Sequence, residues 1–237
     1  MPNHLLNLPL FKILLMKTEN QLQPQLSLTE AIKTRRAARA FRSDPIADGV
    51  LESILRLGLQ SPSGYNLQPW RFIVVKEQAN KDKLRACAFD QPQVSQAPVV
   101  VICCGDRRVN NTEYIEEIIQ IGTSAGGVNE KYADYMRGAI PQLFEYQPSF
   151  KSMEAWTNRH TMLAVAYLTI VAKAFGVDSC PMEGFVTAQV KEAFDIPEEV
   201  DVCCLLPLGY ADEPIKKYGG RFSTERVCYG ESFGRAL

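Results

Sequence analysis

One segment limits the fold more than any other: a long helical run from about Met153 to Phe175, followed by Gly176. A glycine just past the last helical residue takes the left-handed conformation cheaply and gives the helix a defined stop. After Met162 the chain reads LAVAYLTIVAKAF, apolar on nearly every side instead of along one stripe. A helix of that character has to be surrounded, which predicts the buried axis of the core. The other elements must wrap around it.

Those elements are short and of both kinds. Ser27-Leu-Thr-Glu30 is a capping box, and Leu28, Ala31, Ile32 and Arg35 follow at helical spacing. A second amphipathic helix fits Asp48 to Leu59 and is closed by the turn Ser61-Pro-Ser-Gly64. Arg71 to Val75 reads as a buried strand, Asn80 to Phe89 as a helix and Pro98 to Cys104 as a second apolar strand. Residues 105–152 are more polar and read as two helices, Asn111 to Gly122 and Asn129 to Tyr146, joined by a flexible Thr-Ser-Ala-Gly-Gly-Val hinge. A short helix, Thr187 to Phe194, precedes a third strand, Asp201 to Tyr210. The tail 211–237 has no core of its own and reads as draped over a partner subunit. Helices interleaved with few strands predict one mixed α/β domain over residues 27–237. Residues 1–26 then read as an extension that either packs on the body or on a partner, or is frayed.

Charge and cysteine content narrow the function classes. With 26 Lys plus Arg against 27 Asp plus Glu, the net charge is −1. That removes the electrostatic footprint of a nucleic-acid binder and disfavours an anionic membrane. Leu5 to Met16 is the only membrane-like stretch. It is about half the roughly 20 residues a spanning helix needs, and Pro9 and Lys12 interrupt it. A signal peptide's basic start and small-residue cleavage site are missing. The expected location is the cytoplasm. Of seven cysteines, Cys103-Cys104 and Cys203-Cys204 are adjacent pairs inside apolar runs. Neighbours on a strand face opposite sides, and no metal-ligand spacing occurs. All seven read as buried reduced thiols, with no metal.

The usual catalytic sets are absent. The two histidines are His4 and His160, and His160 reads as a helix residue with a backbone or interface partner. There is no phosphate-binding loop and no dinucleotide fingerprint. Three other segments carry more information. Arg35-Arg36-Ala-Ala-Arg39-Ala-Phe41 ends the first helix with three arginines, suited to bidentate phosphate binding, although a solvated basic face has the same spacing. Ser61-Pro-Ser-Gly-Tyr-Asn66-Leu-Gln68-Pro-Trp70 is dense in turn formers and amides. It fits either packing or the polar edge of a heteroaromatic ring. Cys180-Pro-Met-Glu183-Gly184-Phe185 allows backbone to pass closely under a flat ligand and offers a free N–H.

Taken together and in this order, Arg35 to Phe41, Pro62 to Trp70, Pro181 to Phe185 and Leu208-Gly-Tyr210 resemble the motifs of the nitroreductase family of FMN-dependent oxidoreductases. The resemblance spans roughly residues 27–233. It implies an α+β (mixed α/β) fold with a central, mostly antiparallel sheet flanked by helices, in an intertwined homodimer. FMN would lie at the subunit interface, with NAD(P)H as co-substrate. By position, Arg35 is similar to the phosphate-side arginine, with Arg36 a second candidate, and Arg39 to the cation at the N1/O2 edge of the flavin. A cation there stabilises the reduced ring. Ser63 and Asn66, with Pro62 and Gly64 flanking Ser63, resemble contacts from the facing subunit. Glu183 and Gly184 resemble the backbone against the ring, with an N–H toward N5. Pro181 and Met182 would line the ring face, Gln93 would bond ring or ribityl chain, and Arg221 would close on the phosphate.

The resemblance further implies ping-pong turnover, with a nitroaromatic or quinone as acceptor and no protein general acid. Residues 105–152 would form a variable lid in which Tyr132, Tyr135, Phe144 and Tyr146 either stack on an acceptor or pack. Departures from the pattern are Ala37 where a hydroxyl is common, Asp90 where Asn is common, and Lys216 and Lys217 set far from Arg221. Asp90 is expected to turn away or meet an arginine. Alternatives within the same fold are a flavin-fragmenting or dehalogenating branch, or a non-catalytic FMN-binding dimer.

Overall fold

Alternation along two central strands divides the molecule into layers. The computed structural model describes residues 22–146, 152–212 and 217–237. The extension before residue 22 and Lys216 lie outside the described residues. Strand β2 (Val99–Asp106) is buried at every position. It pairs antiparallel with β1 (Trp70–Val75) on one side and β4 (Val200–Gly209) on the other, and a two-residue strand β3 (Asp178–Ser179) completes the order β1-β2-β4-β3. Val100, Ile102 and Cys104 enter one core cluster, and Val99, Val101 and Cys103 enter another. Helices cover both faces, so an antiparallel strand reads as one continuous apolar run instead of alternating with polar residues.

The first face is covered by α3 (Gln78–Cys87), α4 (Pro92–Gln96) and α8 (Thr187–Ala193), through Leu84, Val94 and Val190. The second is covered by α2 (Asp48–Gly58) and the long helix α7 (Met153–Ala174), through Ile54, Val165, Leu168 and Ala172. Helix α1 (Leu28–Thr34) packs on α7 and begins at the predicted capping box, with Glu30 N donating to Ser27 Oγ and Ser27 N to Glu30 Oε2. Gly176 has φ +78°, and Val177 N donates to Ala172 O at 2.9 Å, so α7 stops where its glycine predicts. Gln25 and Leu26 donate their N–H groups to Ala174 O, which docks the end of the extension on that terminus.

Helices α5 (Thr112–Ser124) and α6 (Glu130–Tyr146) form an antiparallel hairpin with its own core of Ile115, Ile118, Met136 and Ile140 against Trp156. Of the Thr-Ser-Ala-Gly-Gly-Val segment, Thr123 and Ser124 end α5, and residues 125–128 form an ordered turn and not a free hinge. Gly126 has φ +77°, and the N–H groups of Gly127 and Val128 return to Gly122 O. The short helix α9 (Thr224–Val227) lies in the exposed tail.

Three expectations change. Strand β1 is an edge strand with Arg71 exposed, so it is only partly buried. Helix α7 is not buried all round: Leu163 and Tyr167 are 43% and 41% exposed, and Ala166 is exposed beside them. Cysteine neighbours face opposite sides at 103/104 but not at 203/204, because the pairing shifts between Cys103 and Cys104 and an extra residue on β4 puts Cys203 and Cys204 in the same cluster. Six cysteines are buried and Cys228 is exposed. Among the described residues, no helix is long and apolar enough to cross a membrane.

Candidate cofactor cleft and its relatives

The end of α1, the middle of α7, Pro181 and the tail enclose a cleft of about 890 Å³. Its floor is apolar, formed by Ile32, Met162, Val165, Ile170 and Pro181. Its rim carries Lys33, Arg35, Arg36 and Arg221, and no carboxylate lines it among the described residues. Four cations over an apolar floor create a positive field that only an anion neutralises. Arg35 is the C-cap of α1, where the chain leaves the helix with ψ 127°. No acceptor among the described residues meets its guanidinium. Arg36 folds back, with Nη1 donating to Lys33 O at 2.8 Å and Arg35 O at 2.7 Å. Its Nε is buried and has no acceptor among the described residues. Tyr218 lies between two arginines, with its ring centroid 4.9 Å from Arg36 Cζ and 5.6 Å from Arg221 Cζ. Stacking of this kind arrays planar guanidiniums and leaves their edges open to a ligand.

The backbone next to Pro181 is held from beneath. Met182 and Leu205 exchange N–H···O bonds at 2.8 and 3.0 Å. The Met182 side chain is therefore core and does not face the cleft. Glu183 is exposed, and Gly184 O accepts from Gln91 Nε2 at 2.8 Å. No acceptor among the described residues takes the Gly184 N–H. Gln93 is buried, and its Nε2 donates to Gln91 Oε1 at 3.2 Å. The amide that holds this segment is thus Gln91, two residues from the one singled out by sequence. Asp90 points outward, 82% exposed at its side chain and 3.9 Å from Arg85 Nε. Arg39 is exposed on the strap that pairs Ala37 with Ser179, outside the cleft lining.

The segment 62–68 lies elsewhere. Pro62 and Asn66 are exposed, Ser63 Oγ accepts from Gln68 N at 2.9 Å, and Tyr65, Asn66 and Gln68 have φ of 51°, 55° and 45°. Gly64 and Tyr65 line a second hollow of about 480 Å³ with Tyr132, Leu143, Trp156, Arg159 and His160. The hydroxyls of Tyr65 and Tyr135 meet at 3.4 Å, and Tyr132 stacks on Tyr135 with centroids 5.9 Å apart. That bond and burial push the Tyr65 phenol up to about 12. His160 Nδ1 lies 2.9 Å from Trp156 O, one turn back, so it has a backbone partner and no triad. Phe144 packs edge-on against Trp156, and the side chain of Tyr146 lies outside the described ones.

The sequence pattern of the nitroreductase family matches residues 32–210, three-quarters of the chain and all of the elements that build the cleft except the tail. The chain belongs to the nitroreductase family. A Thermus thermophilus NADH dehydrogenase is 33% identical over 205 residues, 86% of this chain and 96% of its own. The Bacillus subtilis protein YodC, provisionally named an NAD(P)H nitroreductase, is 30% identical over 78% of this chain and 90% of its own. An Exiguobacterium sibiricum structure solved in complex with FMN superposes with a TM-score of 0.79, at 25% identity over 88% of this chain and 99% of that one. This member of the family is an oxidoreductase.

Of the residues singled out by sequence, the cleft of this nitroreductase-family chain brings together Arg35, Arg36, Pro181 and Arg221. Glu183 and Gly184 follow next in the chain, whereas Pro62, Ser63, Gly64 and Asn66 sit on a separate surface of the same chain. Sequence reasoning missed Tyr218 and Gln91. An aromatic three residues before Arg221 was the signal for the first. For the second there was none, because two glutamines in one short motif are equivalent until the turn at Phe89 and Asp90 aims them.

Proposed function

We propose that the chain is an FMN-dependent NAD(P)H oxidoreductase that works as a homodimer and reduces nitroaromatic, quinone or similar acceptors by a ping-pong cycle. The observation that carries this reading is the cleft itself, with four cations and no carboxylate around an apolar floor. An anionic phosphate and a flat ring satisfy both halves, and the partnerless Arg36 Nε and the Gly184 N–H are the donors such a ligand would use. FMN, when bound, supplies the centre that takes hydride from NAD(P)H and gives it to the acceptor.

This chain's residues do the rest. Arg35, Arg36 and Arg221 bind and orient the phosphate by charge-assisted bonds. Arg39, which lies outside the cleft lining, would have to swing in from its strap to serve as the cation at the pyrimidine edge of the ring, and the Gly184 N–H would address the redox-active nitrogen. Pro181 and the α7 side chains Met162, Val165 and Ile170 exclude water from the ring face. Solvent supplies the protons, so no protein acid is assigned.

A second copy of the chain completes the site. Leu163, Ala166, Tyr167 and Ile170 recur at helical spacing on the outer side of α7, and Ala166 and Ile170 also line the cleft. An apolar stripe that continues into a binding cleft needs covering. The tail adds Phe222 and Phe233, both largely exposed. A partner laid along α7 buries this stripe and brings its own Pro62–Asn66 loop to the cleft. The unit 27–237 then acts as one domain, with 105–152 as lid and 211–237 as the strap on the partner. Steady-state NADPH and NADH oxidation with a nitroaromatic and a quinone tests the activity. Parallel double-reciprocal lines are expected, and intersecting lines or no turnover contradict it.

A further inference from the structure

Three non-glycine residues in the left-handed region within four positions, Tyr65, Asn66 and Gln68, form a strained loop that persists only if its surroundings over-determine it. The hydroxyl of Tyr114, in the first turn of α5, lies 2.8 Å from Leu67 O and 3.1 Å from Gln68 O. It accepts from Arg71 Nη2 at 3.0 Å, while Arg71 Nη1 reaches Gln68 O at 3.2 Å and Trp70 O at 2.8 Å. Arg71 is held in turn by Asp106, whose carboxylate is 3.4 Å from Nη2 and takes two 2.8 Å bonds from Arg108. The Asp106 side chain is only 2% exposed. Its backbone N–H donates to Pro69 O, at the far end of the same loop.

Helix α5 docks without this hydroxyl. Ile115, Ile118 and Ile119 are buried against Leu67, Met136 and Trp156 and supply the apolar contact. The Tyr114 hydroxyl therefore does something different: its one proton goes to the nearer loop carbonyl, Leu67 O, while Gln68 O, 3.1 Å away, also accepts from Arg71 Nη1. A hydroxyl that accepts from a guanidinium donates more strongly, so the buried Asp106 charge is relayed to the loop through Arg71 and Tyr114.

We propose that Tyr114, braced by Arg71 and Asp106, is a positioning residue. It locks the 62–68 loop in its left-handed form and so sets Ser63 and Asn66 for the flavin held by a second copy of the chain. The last step rests on the dimeric FMN reading above. The lock itself does not.

The test compares wild type, Tyr114→Phe, Asp106→Asn and Arg137→Ala. Arg137 ties α5 to α6 through Glu116 at 2.7 Å without touching the loop, so its removal controls for lid docking. Amide hydrogen exchange of the peptide spanning 62–70 is measured on FMN-free protein, and FMN release is measured by the recovery of free-flavin fluorescence on dilution. Tyr114→Phe is expected to raise loop exchange and FMN release about tenfold each, the loss of roughly one hydrogen bond. Asp106→Asn should act in the same direction and Arg137→Ala on neither. Unchanged loop exchange in Tyr114→Phe overturns the lock. Faster exchange with unchanged FMN release overturns the link to the flavin. If the wild type takes up no FMN, the functional reading falls with that link, and the exchange measurement alone decides the lock.

Discussion

Gln91 Nε2 donates to the carbonyl of Gly184 at 2.8 Å, and the same nitrogen stands 2.9 Å from where a β-carbon on residue 184 would be. The glycine is what lets the amide approach its backbone.

Gly184→Ala should therefore push the Gln91 amide aside and break this bond, at a cost of about 1–3 kcal/mol. The amide is the end of a side chain, so the protein will fold and the loss will appear in FMN affinity and melting temperature. Gln91→Ala removes both the clash and the bond. In a double-mutant cycle the two changes should be strongly non-additive. Additive effects would mean that the contact does not hold the segment.

Arg35→Ala should weaken FMN binding by about 1.5–3 kcal/mol, the range for one charge-assisted bond. Fluorescence titration of the stripped protein with FMN reads this directly as a tenfold or larger rise in Kd. An unchanged Kd would assign the phosphate to Arg36 and Arg221 without Arg35.

Much of this architecture is legible in the chain. The apolar runs of β2 and β4, the capping box at Ser27 and the stop at Gly176 are local signals, and they agree with what forms. Others are not local. The bulge that turns Cys203 and Cys204 to one side arises from how β4 registers against β2, and the pairing of β3 is two residues long, too short for any periodicity. The all-round apolarity of α7 reads as burial, yet Leu163 and Tyr167 are partly exposed in a single chain. The four arginine and proline positions of the cleft come from ordered motifs. The roles of Gln91 and Gln93 depend on left-handed turns at Phe89 and Asp90, at φ 53° and 54°, which no composition rule gives.

Leu163→Glu tests what covers α7. The side chain is already part-exposed, so a lone chain should lose little stability, within about 0.5 kcal/mol for a surface change. A dimer sealed by this stripe should instead dissociate and release FMN together. Light scattering after gel filtration checks both, and a dimer that survives the charge would place the interface elsewhere.

The loop brace carries a pH signature. Burial pushes the Asp106 carboxyl up, but bonds from the Arg108 side chain and N–H, with the charges of Arg71 and Arg108, outweigh it and hold it below its usual value. A carboxylate lowered in the fold adds stability above its unfolded pKa, and that stability disappears as pH falls through the folded one. The melting temperatures of wild type and Asp106→Asn should therefore differ near neutrality, and the gap should begin to close below about pH 4 and vanish only once the pH is below the lowered folded value. A gap that stays constant with pH would show that the charge of Asp106 contributes nothing.

The central claim is that the arginine-rimmed cleft holds a flavin that nicotinamide cofactors reduce. A visible spectrum of the purified protein, or of the protein reconstituted with FMN, followed by anaerobic titration with NADH and then NADPH, tests it most directly. The expected result is a protein-bound flavin band that bleaches stoichiometrically with at least one of them. A protein that stays colourless after reconstitution, or a bound flavin that neither donor bleaches, would contradict it.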